Sequence, residues 1–296
     1  MKIKLALATF CLSLFSIQMM GQKLEPPKIE PQGVAWKKVH TANKLPIALT
    51  PVREADVMYS KRVWRKIDLR EKSNMPLFYP IKATRDRKSF AALIFDAVSK
   101  PSAETPYSAN YLTAYDDEDF TMRINSLEEL RKRMVVTVTE DSITEANPDG
   151  EKVTKKYPLR SDHVVQIDLI EDWFFDRKRS QLDFRIQAIG ITYDRSLVSP
   201  SAVNEGQSNL STVFWIYYPE SRFYLANNEA FNPRNDAARM SYDEFFLRRK
   251  FSSYIYKVAN VYDRRIAEYT SGLDALYESE RIKNEILTYE NDLWEY

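Results

Sequence analysis

The stretch that decides the fold is SDHVVQIDLIEDWFFDRKRSQLDFRIQAIGITY, Ser161 to Tyr193. It reads as two strands joined by a charged turn. In the first strand Val165, Ile167, Leu169, Trp173 and Phe175 share one face, and Gln166, Asp168 and Asp172 share the other. In the second, Leu182, Phe184, Ile186 and Ala188 oppose Asp183, Arg185 and Gln187. Alternation with a period of two is what a half-buried antiparallel sheet requires. The polar link Asp176-Arg177-Lys178-Arg179-Ser180 suits a hairpin loop.

Parity limits the register. The apolar face is odd-numbered in the first strand and even-numbered in the second, so odd residues must oppose even ones or one apolar face turns to water. Pairing Phe175 with Leu182 also sets Asp172 opposite Arg185. A register shorter by two sets Asp172 against Asp183, like against like, and opposed charges favour the first pairing. Glu171 is the anomaly, a carboxylate on the apolar face between Leu169 and Trp173. Its bland reading is a partner for a buried Arg or a cap on a backbone group. The chemical reading is a carboxyl group with a raised pKa.

Composition narrows the function classes. The chain has 296 residues, with 43 Lys and Arg against 42 Asp and Glu, a balance that argues against nucleic acid as the main partner. Only 6 Gly occur, and no phosphate-cradling glycine motif is present. The 18 Tyr and 15 Phe suit strands and interfaces.

The N-terminus reads as a targeting segment. Lys2 and Lys4, the apolar run from Leu5 to Phe15 and the small residue Gly21 predict a secretory signal peptide over residues 1–21. Its short apolar core favours cleavage over a transmembrane anchor. The single cysteine, Cys11, lies inside it, so the remainder has no thiol chemistry. Residues 22–52, with Pro26, Pro27, Pro31, Pro46 and Pro51, read as a proline-rich extended arm, a spacer or a segment that orders on a partner. Residues 53–296 form the α+β region, with a sub-boundary expected near 227–240.

Within that region the spacing of Tyr59, Val63 and Ile67 predicts a helix over Asp56 to Arg70, with Lys61, Arg62, Arg65, Lys66 and Arg70 on a basic face. Met75 to Pro80 breaks it. Asp86 caps a second helix with an apolar stripe of Phe90, Leu93, Ile94, Ala97 and Val98. Lys100 to Phe120 reads as a loop whose acidic run, Asp116 to Asp119, lacks the turn glycine of a calcium loop. Ser126 and Glu129 form a capping box. Val135 to Thr139 is a strand, Asn147-Pro148-Asp149-Gly150 a turn, and a short strand near Val153 and Tyr157 leads into the hairpin. Val213 to Pro219 is a buried strand, continued by Phe223 to Leu225. The last third reads as helical: a capping box at Ser241 and Glu244, a run from Ser252 to Tyr269 broken at Gly272, and a final helix with Ile282, Ile286, Tyr289 and Leu293 on one stripe. The fold class is therefore α+β, a central antiparallel sheet built on the hairpin and flanked by N-terminal helices and a helical C-terminal third.

Catalytic chemistry has little to stand on. His40 and His163 are the only histidines, and no metal-binding or nucleophile motif surrounds them. Glu171 and Asp172 adjoin in sequence, so on a strand they point to opposite faces and form no working pair. No enzymatic activity, no cofactor and no metal site are expected.

Several stretches combine into an ordered pattern. They are Lys61 to Asp68 (KRVWRKID), Met75 to Pro80 (MPLFYP), Glu171 to Asp176 (EDWFFD), Phe231 to Asp236 (FNPRND), Arg249 to Ile255 (RKFSSYI) and the terminal Asp292 to Tyr296 (DLWEY). In this order and spacing, from about Asp56 to Tyr296, the chain resembles the GldN or PorN family of the Bacteroidota type IX secretion system. The resemblance implies a non-enzymatic structural component of a periplasmic ring, needed for protein export across the outer membrane and, in gliding species, for gliding motility. It implies as partners an outer-membrane lipoprotein of the GldK or PorK type, the periplasmic part of a GldM or PorM motor protein, and further copies within the ring. The expected place is the periplasm, at the inner face of the outer membrane. Trp64, Tyr79 and Trp173 are the candidate partner-interface residues, because Trp and Tyr anchor interfaces. The competing function is a periplasmic module that binds glycan or peptidoglycan through the basic helix and exposed aromatics.

Overall fold

The structure is a computed structural model that describes residues 44–84, 87–99, 112–144, 147–199, 208–232, 235 and 237–292. All of these belong to one compact unit, Val39–Tyr296. The expected signal peptide with Cys11, the arm as far as residue 43 with His40, Asp86, and the terminal Leu293 and Trp294 lie outside the described residues.

In chain order the elements are β1 (Val57–Asp68), α1 (Met75–Phe78), α2 (Phe90–Ser99), β2 (Ala114–Tyr115), α3 (Leu127–Arg133), β3 (Val135–Thr144), β4 (Asn147–Pro158), β5 (Val164–Asp176) and β6 (Gln181–Asp194). Then follow α4 (Arg195–Val198), β7 (Leu210–Tyr217), α5 (Tyr218–Ala226), β8 (Glu229–Ala230), β9 (Met240–Ser241), α6 (Tyr242–Leu247), β10 (Tyr254–Val258) and α7 (Leu273–Asp292). The main sheet has the order β10-β1-β5-β6-β7-β2, and its long pairings are antiparallel. The class is α+β, as the sequence predicts.

The hairpin of β5 and β6 is the centre of that sheet. Phe175 pairs with Leu182 and Asp172 with Arg185, the register expected from parity and charge. The register then shifts between Ile170 and Glu171, where Ile170 pairs with Ala188 but Glu171 with Ile186. Gln187 is the extra residue of this β-bulge, and it exchanges the faces of β6 beyond it. Ile189 and Ile191 thereby join the face of Phe184 and Ile186. Ala188, expected on that face, instead packs on the other with Trp64, Ile170 and Trp215. The bulge explains why the apolar residues of β6 change from even to odd numbers.

Three sequence expectations are corrected here. The segment from Asp56 to Arg70 is not a helix but the 12-residue strand β1, hydrogen-bonded to β5 on one side and β10 on the other. Tyr59, Val63 and Ile67 are four apart, and an even spacing satisfies a strand as well as a helix; the aromatic and β-branched content decides for the strand. Likewise Tyr254 to Val258 is an edge strand, not part of a long helix. Phe223 to Leu225 belongs to α5, since Pro219 occupies the first turn, where its missing N–H costs nothing.

Smaller differences follow the same physics. Asn147 to Gly150 opens β4 instead of forming the turn, which is tolerable because a two-stranded ribbon leaves one edge of each strand unpaired. The cap of α3 is Ser126 accepting from Glu128 N, while Glu129 pairs with Arg133. Ser89 Oγ accepts from Ala92 N at the start of α2. The capping box of Ser241 and Glu244 on α6 is present as expected.

Both faces of the sheet are covered, so it is not half-buried as the alternation suggests. Helices α2, α5 and α6 lay Phe90, Ile94, Leu225, Phe245 and Phe246 on Ile167, Leu169, Ile189, Ile191, Phe214 and Ile216. At the other end of the same face, α7 covers Val63, Ile255 and Val258 with Ile282 and Ile286. Each fully buried aliphatic side chain contributes roughly 1.5–3 kcal/mol. On the opposite face Trp215 lies over Gly190, where an added Cβ would stand 2.8 Å from the indole ring. Only glycine permits that approach.

Across the expected sub-boundary at 227–240, Tyr218 donates to Asp243 at 2.9 Å and Arg222 binds the same carboxylate through Nε at 2.9 Å and Nη2 at 3.1 Å. The arm is pinned from Lys44 onward: Lys44 N donates to Asn227 Oδ1 at 2.6 Å, and Arg185 donates to Thr50 O at 3.1 Å.

Candidate protein-interaction surface

The structure distributes the three aromatic candidates differently. Trp64 is 7% exposed, lies in the packed face opposite the helices, donates through Nε1 to Glu118 Oε2 at 3.1 Å, and carries the Lys257 ammonium over its ring. Trp173 is half-buried against the α7 cluster. Tyr79 is exposed, and it stands beside exposed Met75 and Ile81 after α1. The three do not form one surface: Trp64 and Trp173 lie on opposite faces of the sheet.

Glu171 is completely buried. Its Oε1 accepts from Arg249 Nη1 at 2.7 Å and its Oε2 from Trp173 Nε1 at 2.9 Å. Arg65 Nε is 3.0 Å from Oε2, close enough for an ion pair but off line for a hydrogen bond. The bland reading of Glu171, a buried Arg partner, is thus what the chain builds. Arg249 reaches it from the end of α6, where it holds φ at 49°. Its N–H bonds Phe246 O and that of Lys250 bonds Phe245 O, the Schellman closure that usually takes glycine. The left-handed conformation costs an Arg about 1–2 kcal/mol. The ion pair and the stacking of its guanidinium 4.7 Å from the Phe184 ring centroid and 5.2 Å from that of Trp173 offset it. Burial holds the Arg65 guanidinium below its ordinary pKa, against the opposing pull of Glu171. The cluster is a latch joining β1, β5 and the α6–β10 link.

The basic face expected of residues 56–70 is not assembled. Lys61 and Arg65 fall on one face of β1 and pair with Glu285 and Glu171. Arg62 falls on the other and binds Asp172 at two points, 2.7 and 3.0 Å. Asp172 lies opposite Arg185 as expected, but its ion pair is with Arg62, and Arg185 turns to Asp183 at 2.8 Å. The basic helix that the glycan reading called on is therefore not formed. In the acidic run, Asp117 accepts from Thr121 N and Met122 N and so closes its own turn. No group of three or more His, Cys, Asp or Glu among the described residues is arranged to hold a metal.

Strongly exposed apolar side chains among the described residues gather elsewhere, on the loop before α7 and the outer side of that helix. Val261 is 98% exposed, Tyr262 74%, Tyr277 71% and Leu273 70%. The Arg264 guanidinium stacks on Tyr262 and Tyr269, and Tyr269 donates to Glu278 Oε1 at 3.3 Å, so loop and helix form one surface. Helix α7 has two stripes. Ser279, Ile282 and Ile286 face the core, while Leu273, Leu276, Tyr277 and Leu287 face solvent. The reading of the sequence found the inner stripe and missed the outer one. The signal was present, since Leu273, Leu276 and Leu287 recur at helical spacing on the side opposite Ile282 and Ile286. A contiguous exposed apolar patch of this kind marks a protein or membrane contact.

No helix among the described residues is long and apolar enough to cross a membrane. The described residues form a packed α+β fold in which the buried carboxylate Glu171 is held by Arg249 and Trp173, and strongly exposed apolar side chains stand on the loop before α7 and on that helix. The family described as Gliding motility associated protein GldN matches residues 52–295, and the chain belongs to that family. None of the curated proteins compared with the chain matches it.

Proposed function

We propose that this chain is a non-enzymatic structural component of the periplasmic ring of the type IX protein secretion system. In this role it supports export across the outer membrane and, in gliding species, motility. Its partners are an outer-membrane lipoprotein of the GldK or PorK type, the periplasmic part of a GldM or PorM motor protein, and further copies of itself. The observation that carries the reading is the family match over residues 52–295, which spans the whole packed unit from the strand β1 to α7. The exposed surface of Tyr262, Tyr269 and Tyr277, with Leu273 beside them, supports it, because Tyr is among the residue types that carry most of the energy of a protein contact. A ring subunit needs head-to-tail contacts, so a second, different surface is required, and exposed Met75, Tyr79 and Ile81 supply one.

The test is co-purification of the tagged chain from solubilised cell envelopes, followed by identification of what accompanies it. The expected outcome is a lipoprotein in stable, near-stoichiometric association, found with the outer-membrane fraction. Recovery of the chain alone and monomeric from a soluble fraction overturns the proposal.

A further inference from the structure

The outer stripe of α7 carries a register for pairing with itself. Taken as a heptad, Leu273, Glu280 and Leu287 occupy one core position, and Leu276, Lys283 and Glu290 the other, three and four residues apart in alternation. Leu273, Leu276, Glu280, Lys283 and Leu287 are exposed, and the helix is 20 residues long, roughly 30 Å at 1.5 Å per residue. Glu280 and Lys283 pair with each other at 3.0 Å within the helix.

Among the parallel pair and the antiparallel registers, one alone brings leucine onto leucine and opposite charges together at its centre. A parallel, in-register pair sets Glu280 on Glu280 and Lys283 on Lys283, like against like. An antiparallel pair sets each residue of one core position against the other core position of its partner. Centred between Glu280 and Lys283, it packs Leu276 against Leu287 twice and places Glu280 against Lys283 twice; only the end layers set Leu273 toward Glu290, which is half-buried and accepts from Leu182 N at 3.1 Å. Shifting by one heptad toward the N-terminus sets Leu276 on Glu280 and Leu273 on Lys283. Shifting the other way sets Glu280 on Glu290 and Leu287 on Lys283.

We propose that α7 is a two-fold interface, with a second copy of this chain packed antiparallel along its outer stripe in the register that joins Leu276 to Leu287. The contact is isologous, so it is distinct from the head-to-tail contacts that close a ring. It does not depend on the reading of the chain as an export component. One helix pair covers less area than a standard stable interface, so the association is weak in dilute solution and strengthens where copies are held close.

The test uses the full chain with Cys11→Ser, into which Leu276→Cys or Leu287→Cys is introduced singly. Both positions are exposed, so folding is retained, and circular dichroism checks it. A short bis-maleimide is expected to link a mixture of the two variants, and to link neither variant to itself. Glu280→Lys is expected to reduce the yield at least about tenfold, because like charges then meet at both central layers. Adding Lys283→Glu to it is expected to restore the yield. Linking of Leu276→Cys to itself, or no product from the mixture at the highest concentration the folded protein tolerates, overturns the proposal. Retention of the lipoprotein partner by Glu280→Lys separates this contact from the ring itself.

Discussion

Glu171 and Asp168 stand three residues apart on β5, on opposite faces of the sheet, and both are buried, at 0% and 4% exposure. Their surroundings differ in kind. Glu171 meets two guanidiniums and an indole N–H, delivered by β1, by the left-handed turn after α6 and by its own strand. Asp168 pairs across the sheet with Lys66, but the Lys66 ammonium sits over the Tyr256 ring, 4.8 Å from its centroid. What Asp168 has instead is a hydroxyl chain: Thr192 donates to its Oδ2 at 2.7 Å, and Thr212 is 3.0 Å from Thr192. Its Oδ1 and the neighbouring Gln166 Oε1 are buried without a partner among the described residues. Burial accordingly holds the Asp168 carboxyl above the usual carboxylate range, with Lys66 and the Thr192 bond only partly opposing it. The lesson is that burial alone does not decide what a carboxylate contributes; the charge brought to it does.

Breaking the Glu171 side gives the largest expected effect. Glu171→Ala leaves Arg65 buried without its counter-ion and leaves Arg249 strained with nothing to hold it. Removing one partner of a buried pair costs about 3–5 kcal/mol. Urea unfolding monitored by tryptophan fluorescence is expected to show a loss of that order. A midpoint indistinguishable from the parent would mean that the latch carries no stability.

The Asp168 side responds in the opposite sense. A carboxyl group whose folded pKa is raised binds its proton more tightly in the folded state. Its contribution is therefore fully present below the unfolded value, about pH 4, and is lost as pH rises through the raised folded value. Asp168→Asn removes this loss. The variant is expected to equal or exceed the parent at pH 8, by about 1 kcal/mol, and the two should converge as pH falls toward 4. Other carboxylates, such as Asp68 beside Arg70 and Asp183 beside Arg179, have lowered values and destabilise the fold on acidification in both proteins, so the difference between the two curves isolates Asp168. A variant less stable than the parent at pH 8 would show that the charged form is wanted there.

The same pair of residues shows how far the sequence could be read. Alternation and one opposed charge pair sufficed for the β5–β6 hairpin and its register near the turn, because both are local. Glu171 was recognisable as out of place, with a buried Arg partner or a backbone cap as the structural readings. Which arginines supply the partner was not legible, because Arg65 arrives on a strand whose four-residue spacing fits a helix equally well, and Arg249 from a turn that normally takes glycine. Asp168 looked solvent-facing, since alternation gives the two faces but not what covers the second. Trp215, Tyr115 and Phe120 cover it, brought there by β7 and β2 through pairings that no local pattern encodes. The outer stripe of α7 was legible in its spacing but was overshadowed by the stronger inner stripe.

Asp172 sharpens the comparison with a third carboxylate on the same strand. It adjoins Glu171 in sequence but points to the face of Asp168, and its two-point bond to Arg62 has better hydrogen-bond geometry than the Arg65 contact of Glu171. Yet the Arg62 side chain is 44% exposed and that of Asp172 23%. Water already solvates much of both charges, and the pairing mainly holds the Arg62 guanidinium above its ordinary pKa. Arg62→Ala is therefore expected to cost less than about 1 kcal/mol, and the cost should shrink in high salt, where exposed pairs are screened. Measured beside Glu171→Ala at low and high ionic strength, it separates geometry from burial. If the two variants lose similar stability, hydrogen-bond geometry governs ion pairs in this sheet; a gap of several-fold, insensitive to salt on the Glu171 side alone, assigns the difference to the water excluded around Glu171.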